Sequence, residues 1–325
     1  MVMRALPRLV ATTVGVYWLA DNFLFRNAAV FSFFHDTGVV EFNHEPLVVH
    51  VHIYPAKMTA VSRVTLRFPV YLPPFPSQDL RVMPDVFNIH HFLSTFSAEA
   101  LEQGFTQHTL VDLSTAPLLA WCKPGKLAPI YLSAGIHGDE PAGPLALLEL
   151  MQSGYFKTDH HWVICPALNP NGLFHQQRTN HEGIDLNRDY LSLRSNEITA
   201  HAKWLQTQPI PSVFLSFHED WESTGFYYYE IQHPEGSMER YSRILEAVAP
   251  WFPPEPAAII DDHAVRAPGW IDHPAQADAP DEWPEAIYLA TMGCPLSLTL
   301  ETPSQAPLTD RIAAHVAAAK VVSSL

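Results

Sequence analysis

Beyond residue 125 the chain alternates short apolar runs with longer helix-like stretches, and that alternation restricts the folds open to it. Runs at 129–134, 162–167, 212–217, 226–231 and 296–300 have the length and composition of strands. Stretches at about 141–152, 194–207 and 237–249, and a final Ala-rich one at about 308–323, have the length of helices. Strands taking turns with helices predict an α/β domain of three layers, with helices on both faces of a central sheet. No internal repeat is visible.

Two of the strand-like runs lead into metal-type side chains. The run 129–134 meets the helical stretch in His137-Gly-Asp-Glu140, and the run 212–217 is followed at once by His218. Gly135 before the turn and Pro141 at the first helical position suit such a junction. A catalytic zinc takes three imidazole or carboxylate ligands and leaves a fourth position for water, which a nearby carboxylate can deprotonate. In open α/β sheets, ligands bind in the crevice beyond the carboxyl ends of the strands. His137, Glu140 and His218 are therefore the candidate ligands of one Zn2+ ion.

Each piece alone is weak. Among eighteen histidines a His-x-x-Glu pair arises by chance, and an isolated histidine is usually just a hydrogen-bonded one. Asn169-Pro-Asn-Gly172 makes a good turn, Asp185 and Arg188 can form an exposed ion pair of little worth, and Glu219 and Asp220 read as supporting or surface residues. Glu301 is harder to dismiss, because a carboxylate among Leu296, Leu298 and Leu300 asks for a cation or a proton-transfer task.

Taken in order, His137/Glu140, Asn169-Pro-Asn-Gly172, Arg178-Thr-Asn180, Gly183-Ile-Asp-Leu-Asn-Arg188, His218 and Glu301 resemble the carboxypeptidase A-like family of zinc metallopeptidases over about residues 125–305. The resemblance implies a mixed, mostly parallel central sheet. It implies that His137, Glu140 and His218 hold zinc, that Glu301 is the catalytic proton carrier, and that Arg178 polarises the scissile carbonyl. Asn187 and Arg188 match the pair that grips the substrate's terminal carboxylate, a role suited to arginine's planar fork of donors. Tyr288 lies before the Glu301 strand, where this family places specificity residues, and is a candidate for that role. Asp189-Tyr190 departs from the Asn-Phe that many relatives carry at that point.

The first functional expectation is a metallocarboxypeptidase hydrolysing an amide bond next to a free carboxylate in peptides, cell-wall peptides included. The alternative is an N-acyl amino acid deacylase of the succinylglutamate desuccinylase/aspartoacylase type, which shares the Asp-Leu-Asn-Arg run and the zinc triad. A third reading is a non-catalytic zinc-containing binding protein, whose mark would be a missing glutamate or a broken triad. The aromatic run Phe226-Tyr-Tyr-Tyr229 reads first as strand packing and second as a pocket lining.

Charge divides the chain. Residues 1–82 carry a balance of +2 and residues 83–325 one of −17, within a total of −15. A boundary near Met83 follows, with 83–325 the catalytic domain. Residues 1–82 are either a small β-rich addition, on the alternating runs at 48–53 and 64–68, or an extension foreign to the native protein, with the second reading preferred. An acidic chain lacks the basic footprint of a nucleic-acid binder. The apolar run at 9–20 is shorter than the ~20 residues of a membrane span, and Trp18 makes a poor export cleavage site. Cys122, Cys165 and Cys294 have no paired spacing and read as free thiols. A cytoplasmic protein is the expectation, with periplasmic or secreted locations left open. Prolines at 71–76, 251–256 and 268–284 predict long irregular loops.

Overall fold

The computed structural model describes the backbone of residues 40–43, 48–53 and 62–67, and residues 87–232 and 236–322. The chain divides into two compact units, residues 1–84 and 85–325. In the first, strands β1 (Val40–Asn43), β2 (Val48–Ile53) and β3 (Ser62–Arg67) form an antiparallel sheet in sequence order.

The second unit opens with helix α1 (Ile89–Glu102). Its buried residues Ile89, Phe92, Leu93, Phe96 and Ala100 recur at helical spacing, and the Asn88 side chain caps its start by accepting from the His91 N–H. Strands β4 (Thr106–Val111), β5 (Leu118–Lys123) and β6 (Leu127–Ala134) lead to helix α2 (Ala142–Gln152), then to β7 (His160–Cys165) and the short helix α3 (Pro170–His175). Helix α4 (Asn196–Leu205) precedes β8 (Val213–Asp220) and β9 (Tyr227–Gln232), and α5 (Met238–Val248) follows them. The short strands β10 (Ile259–Ile260), β11 (His263–Ala264) and β12 (Trp270–Asp272) come next, then α6 (Glu285–Thr291), β13 (Leu296–Pro303) and α7 (Leu308–Val322).

Eight strands form one sheet in the order β12-β9-β13-β8-β6-β7-β5-β4. Its centre, β13-β8-β6-β7, is parallel, while β9 joins β13, and β5 joins β7 and β4, in antiparallel fashion. The expected mixed, mostly parallel sheet is what the chain forms. Successive residues of β6 face opposite layers, as strand geometry requires. Ile130, Leu132 and Ala134 join the core beneath α1, α2, α5 and α7, whereas Tyr131 joins the core beneath α4 and α6. Burial on both faces explains why the central strands read as continuous apolar runs.

The stretch 268–284, expected to be irregular throughout, contains β12. It pairs in parallel with β9 at the sheet edge, a place where proline is tolerated. Cys165 and Cys294 are buried free thiols, and Cys122 is half-buried and free. Among the described residues no helix is long and apolar enough to cross a membrane.

Candidate metal and catalytic site

The β6–α2 connection carries the first two metal-type side chains, and backbone bonds pin it from both sides. Gly135 turns the chain with φ +64°, Leu168 N–H donates to Ala134 O, and Asn169 N–H donates to Gly135 O. Gly138 lies so close to Gly172 that a Cβ there would come within 1.9 Å of the Gly172 carbonyl carbon. The Asn-Pro-Asn-Gly segment is thus more than a turn. Asn169 caps α3 by accepting from Gly172 N–H at 2.8 Å, and its Nδ2 donates to Arg178 O at 3.3 Å. That packing holds the His137 loop against the Arg178 segment.

His218 and Glu301 are placed by strand register. They are partners on the parallel pair β8–β13, and Glu301 is in turn the partner of Tyr227 on β9, so one row across three strands carries all three. The next residue, Glu219, points to the opposite face. It accepts from Ala142 N–H at 2.7 Å and from Arg311 Nη1, tying β8 to the start of α2 two residues beyond Glu140.

His137, Glu140 and His218 are buried, and their donor atoms all lie within 4.8 Å of one another. Glu140 Oε1 is 2.6 Å from His137 Nδ1 and Glu140 Oε2 is 3.0 Å from His218 Nδ1. Burial works to raise the Glu140 carboxyl, but the two imidazoles hold it well below the usual carboxylate range. Burial likewise works to lower His137, and Glu140 with Asp185 override it, lifting His137 to about 9. His218 is lowered, chiefly by burial. Two imidazoles and one carboxylate, water-shielded and converging on one point, fit the donor set of a divalent zinc-type ion.

The second nitrogen of His137 also has a fixed partner. His137 Nε2 is 3.2 Å from Asp185 Oδ1, which also accepts from Asn187 N–H at 2.9 Å. A carboxylate that orients a ligating imidazole is a regular feature of metal sites. Asp185 therefore does not pair with Arg188. Its Oδ2 accepts from Arg178 Nε at 3.0 Å, and Arg178 Nη1 lies 3.7 Å from Glu140 Oε1. Burial opposes the Arg178 charge, but Asp185 and Glu140 raise its pKa. The signal for Asp185 in the sequence is the need of a ligating imidazole for a carboxylate or carbonyl on its far nitrogen.

The Glu301 carboxylate makes no hydrogen bond among the described residues. Burial pushes its carboxyl well above the ordinary range, and the negative charges of Glu140, Asp220 and Asp261 push the same way.

These groups open on one cavity of about 500 Å³, lined by His137, Glu140, Arg178, Asn187, Arg188, His218 and Glu301. Asn187 Oδ1 accepts from the backbone N–H of Glu285 at 3.0 Å, and Arg188 Nη1 donates to Asn187 O at 2.9 Å. Tyr227 and Tyr229 also line the cavity, while Phe226 and Tyr228 enter the core, so the aromatic strand performs both roles by alternation. Tyr288 is not brought to the cavity. It lies on the α4 side of α6, against Tyr190, with its hydroxyl bonded to Gln206 Nε2 at 3.1 Å and to Ala202 O at 3.4 Å. Glu285, at the start of α6, enters the core beneath the sheet and not the cavity, and the sequence carries no signal for it. Fully buried, it accepts from Tyr131 and Ser133 hydroxyls, each at 2.7 Å, and burial lifts it to about 7 against those hydrogen bonds. Asp189 and Tyr190 also serve the scaffold. Asp189 accepts from Ser195 N–H and Oγ, both at 2.8 Å, and Tyr190 bonds His201 Nδ1 at 2.8 Å.

Residues 126–239 match the sequence family described as the succinylglutamate desuccinylase/aspartoacylase catalytic domain. Carboxypeptidase 2 of Trichophyton rubrum is 31% identical over 100 residues, a match covering 28% of this chain and 18% of that protein. Carboxypeptidase SOL1 of Arabidopsis thaliana is 33% identical over 108 residues, covering 26% of this chain and 22% of its own length. The chain thus spans about a fifth of the curated relatives it matches. A solved candidate metallopeptidase from Shewanella amazonensis superposes with a TM-score of 0.64 at 27% identity, over 73% of this chain and 92% of that one. A metallo-carboxypeptidase from Burkholderia cenocepacia shares the fold, with a TM-score of 0.53 at 17% identity over 88% of this chain and 80% of its own. In sheet order, in the order of its motifs and in these matches, the chain is similar to the zinc carboxypeptidase-like group that includes succinylglutamate desuccinylase and aspartoacylase.

Proposed function

We propose that the chain is a metallocarboxypeptidase that hydrolyses an amide bond next to a free carboxylate in peptides, with one zinc ion held by His137, Glu140 and His218. The observation that supports it most is the position of Glu301: a half-buried carboxylate without a hydrogen-bond partner among the described residues, in register with His218, in a cavity that also presents Arg178 and Arg188. When bound, zinc supplies Lewis acidity to carbonyl and water oxygens. Glu301 holds and moves the proton at its carboxylate oxygens, and its raised pKa suits a group that accepts a proton and returns it to the leaving amine. Arg178, braced by Asp185, offers fixed positive charge where an oxyanion develops, which typically contributes a few kcal/mol. Asn187 and Arg188 bind the terminal carboxylate. Asn187 Oδ1 is occupied by the Glu285 N–H, so its amide presents Nδ2 as a donor. The free thiols agree with a reducing compartment.

A second reading, an N-acyl amino acid deacylase, is favoured by the family match over residues 126–239. Both substrates carry a free carboxylate beside the scissile amide, so the same residues serve either. The zinc-loaded protein is to be incubated with free-acid peptides, their C-terminal amides and N-acyl amino acids, with products read by mass. The peptidase reading expects one residue lost from free-acid peptides and little from amides. Turnover of acyl amino acids alone would reverse the order, and no turnover of any member would overturn both.

A further inference from the structure

The far wall of the cavity holds a second constellation that the proposed chemistry does not use. We propose that His263, His273 and Asp278 form a second divalent-cation site of zinc type, separate from the His137, Glu140 and His218 site. Their donor atoms lie within 4.8 Å of one another. His263 Nε2 stands 3.3 Å from Asp278 Oδ2, and His273 Nε2 stands 3.4 Å from Asp278 Oδ1. Ligands about 2.0–2.1 Å from a tetrahedral ion sit about 3.3 Å from one another, so these spacings are those of a coordination edge. The two imidazoles meet at 71° with centroids 4.7 Å apart, converging rather than stacking.

The orientation of the His273 ring points the same way. His273 Nδ1 lies 2.7 Å from Pro274 O, a contact in which Nδ1 donates, and this leaves Nε2 as the ring atom aimed at the cluster and available to a metal ion. Asp185 holds His137 from behind in a comparable way, with a carboxylate where His273 has a carbonyl.

The site is built by backbone as well as by side chains. His273 is buried at the end of β12, where its N–H donates to Glu230 O at 2.9 Å. His263 opens β11 directly after the turn of the β10–β11 hairpin, whose two turn residues, Asp261 and Asp262, both have positive φ, 46° and 64°. Two left-handed residues define the turn that matches strand twist, and Tyr229 OH secures it by donating to Asp261 Oδ2 at 2.7 Å. Asp278 is an exposed arm from the following loop. All three donors line the cavity, so three protein ligands leave a position open to it, as in sites that bind an exogenous ligand. An ion there also offsets the negative charge that Asp261, Asp262 and Asp278 place opposite Arg178 and Arg188, and gives a substrate anion a second point of attachment.

The test is metal stoichiometry of the full chain, by equilibrium dialysis against zinc and elemental mass spectrometry, with cobalt absorption as a second readout. The expected result is two ions for the wild type and one for His263→Ala/His273→Ala. His137→Ala should also retain one, with a different cobalt spectrum. Asp278→Asn changes only an exposed side chain and should weaken the second ion by about tenfold or more while leaving the first unchanged. A single ion, lost in His137→Ala and indifferent to Asp278→Asn, would overturn the proposal. So would a second ion retained by both wall variants. Because the readout is bound metal, failure of the peptidase reading would leave this result standing.

Discussion

The two walls of the cavity are made in opposite ways. On one side His218 and Glu301 sit on eight-residue strands at the sheet centre, where register and two covering layers fix each side chain, and His137 with Glu140 occupies a junction clamped by backbone bonds. On the other side the strands are two or three residues long, the turn has left-handed aspartates, and Asp278 stands exposed. Chemistry needs donors that do not move, and the sheet centre supplies them. Recognition tolerates movement, and a wall made of hairpin and loop can vary without disturbing the centre.

The largest effect expected from breaking the rigid side is that of Glu301→Gln. Turnover should fall by about 10²–10⁴-fold with zinc content unchanged, and a loss under tenfold would remove Glu301 from proton transfer. Gly138→Ala tests the backbone clamp. An inserted methyl meets the Gly172 backbone, which cannot yield as a flexible side chain would, so stability should drop by roughly 3 kcal/mol or more in urea unfolding. An unchanged midpoint would show that the junction is loose. Asp185→Asn should weaken zinc binding about 10–100-fold, read by competition with a chromophoric chelator, and an affinity within twofold of wild type would deny it the orienting role.

A smaller effect concerns pH. Folded Glu285 keeps its proton to about 7, whereas an unfolded glutamate releases it near about 4.3. Between those values the folded chain binds the extra proton, so its stability is full at low pH and declines as pH rises through 7. Glu285→Gln should shrink that decline in metal-free protein. Glu219, lifted to about 7 mainly by burial, keeps its own share. Equal slopes for wild type and variant between pH 5 and 8 would contradict the assignment. The smallest effect belongs to the loop wall. Tyr229→Phe removes the bond to Asp261 and should cost at most about 1 kcal/mol, while leaving the affinity of the His137 site untouched. A loss of zinc from that site would show the two walls to be coupled.

Much of the rigid side was legible in the chain, because continuous apolar runs mark strands buried on both faces and the metal-type residues stand at their ends. The Asp-Leu-Asn-Arg run was legible as a motif but not in its wiring. Asp185 turned out to brace His137 and Arg178 rather than Arg188, a choice made by a three-residue 3₁₀ turn. Tyr288 shows the opposite error. Its position before β13 suggested the cavity, yet a helix presents only part of its circumference there, and α6 gives that part to Ala286 and Ile287. The wall cluster was hidden because His263 lies between two proline-rich stretches, and His273 and Asp278 within the second, with no periodicity to read.

By itself the sequence determined the kind of site and the layer architecture, since ligand chemistry and hydrophobic period are properties of residue type and spacing. Only the tertiary structure decided which carboxylate faces which imidazole, which tyrosines meet the cavity and that a histidine of β11 and one at the end of β12 share an aspartate. Those outcomes depend on strand register, turn handedness and helix rotation, which join residues far apart in the chain and leave no local trace in it.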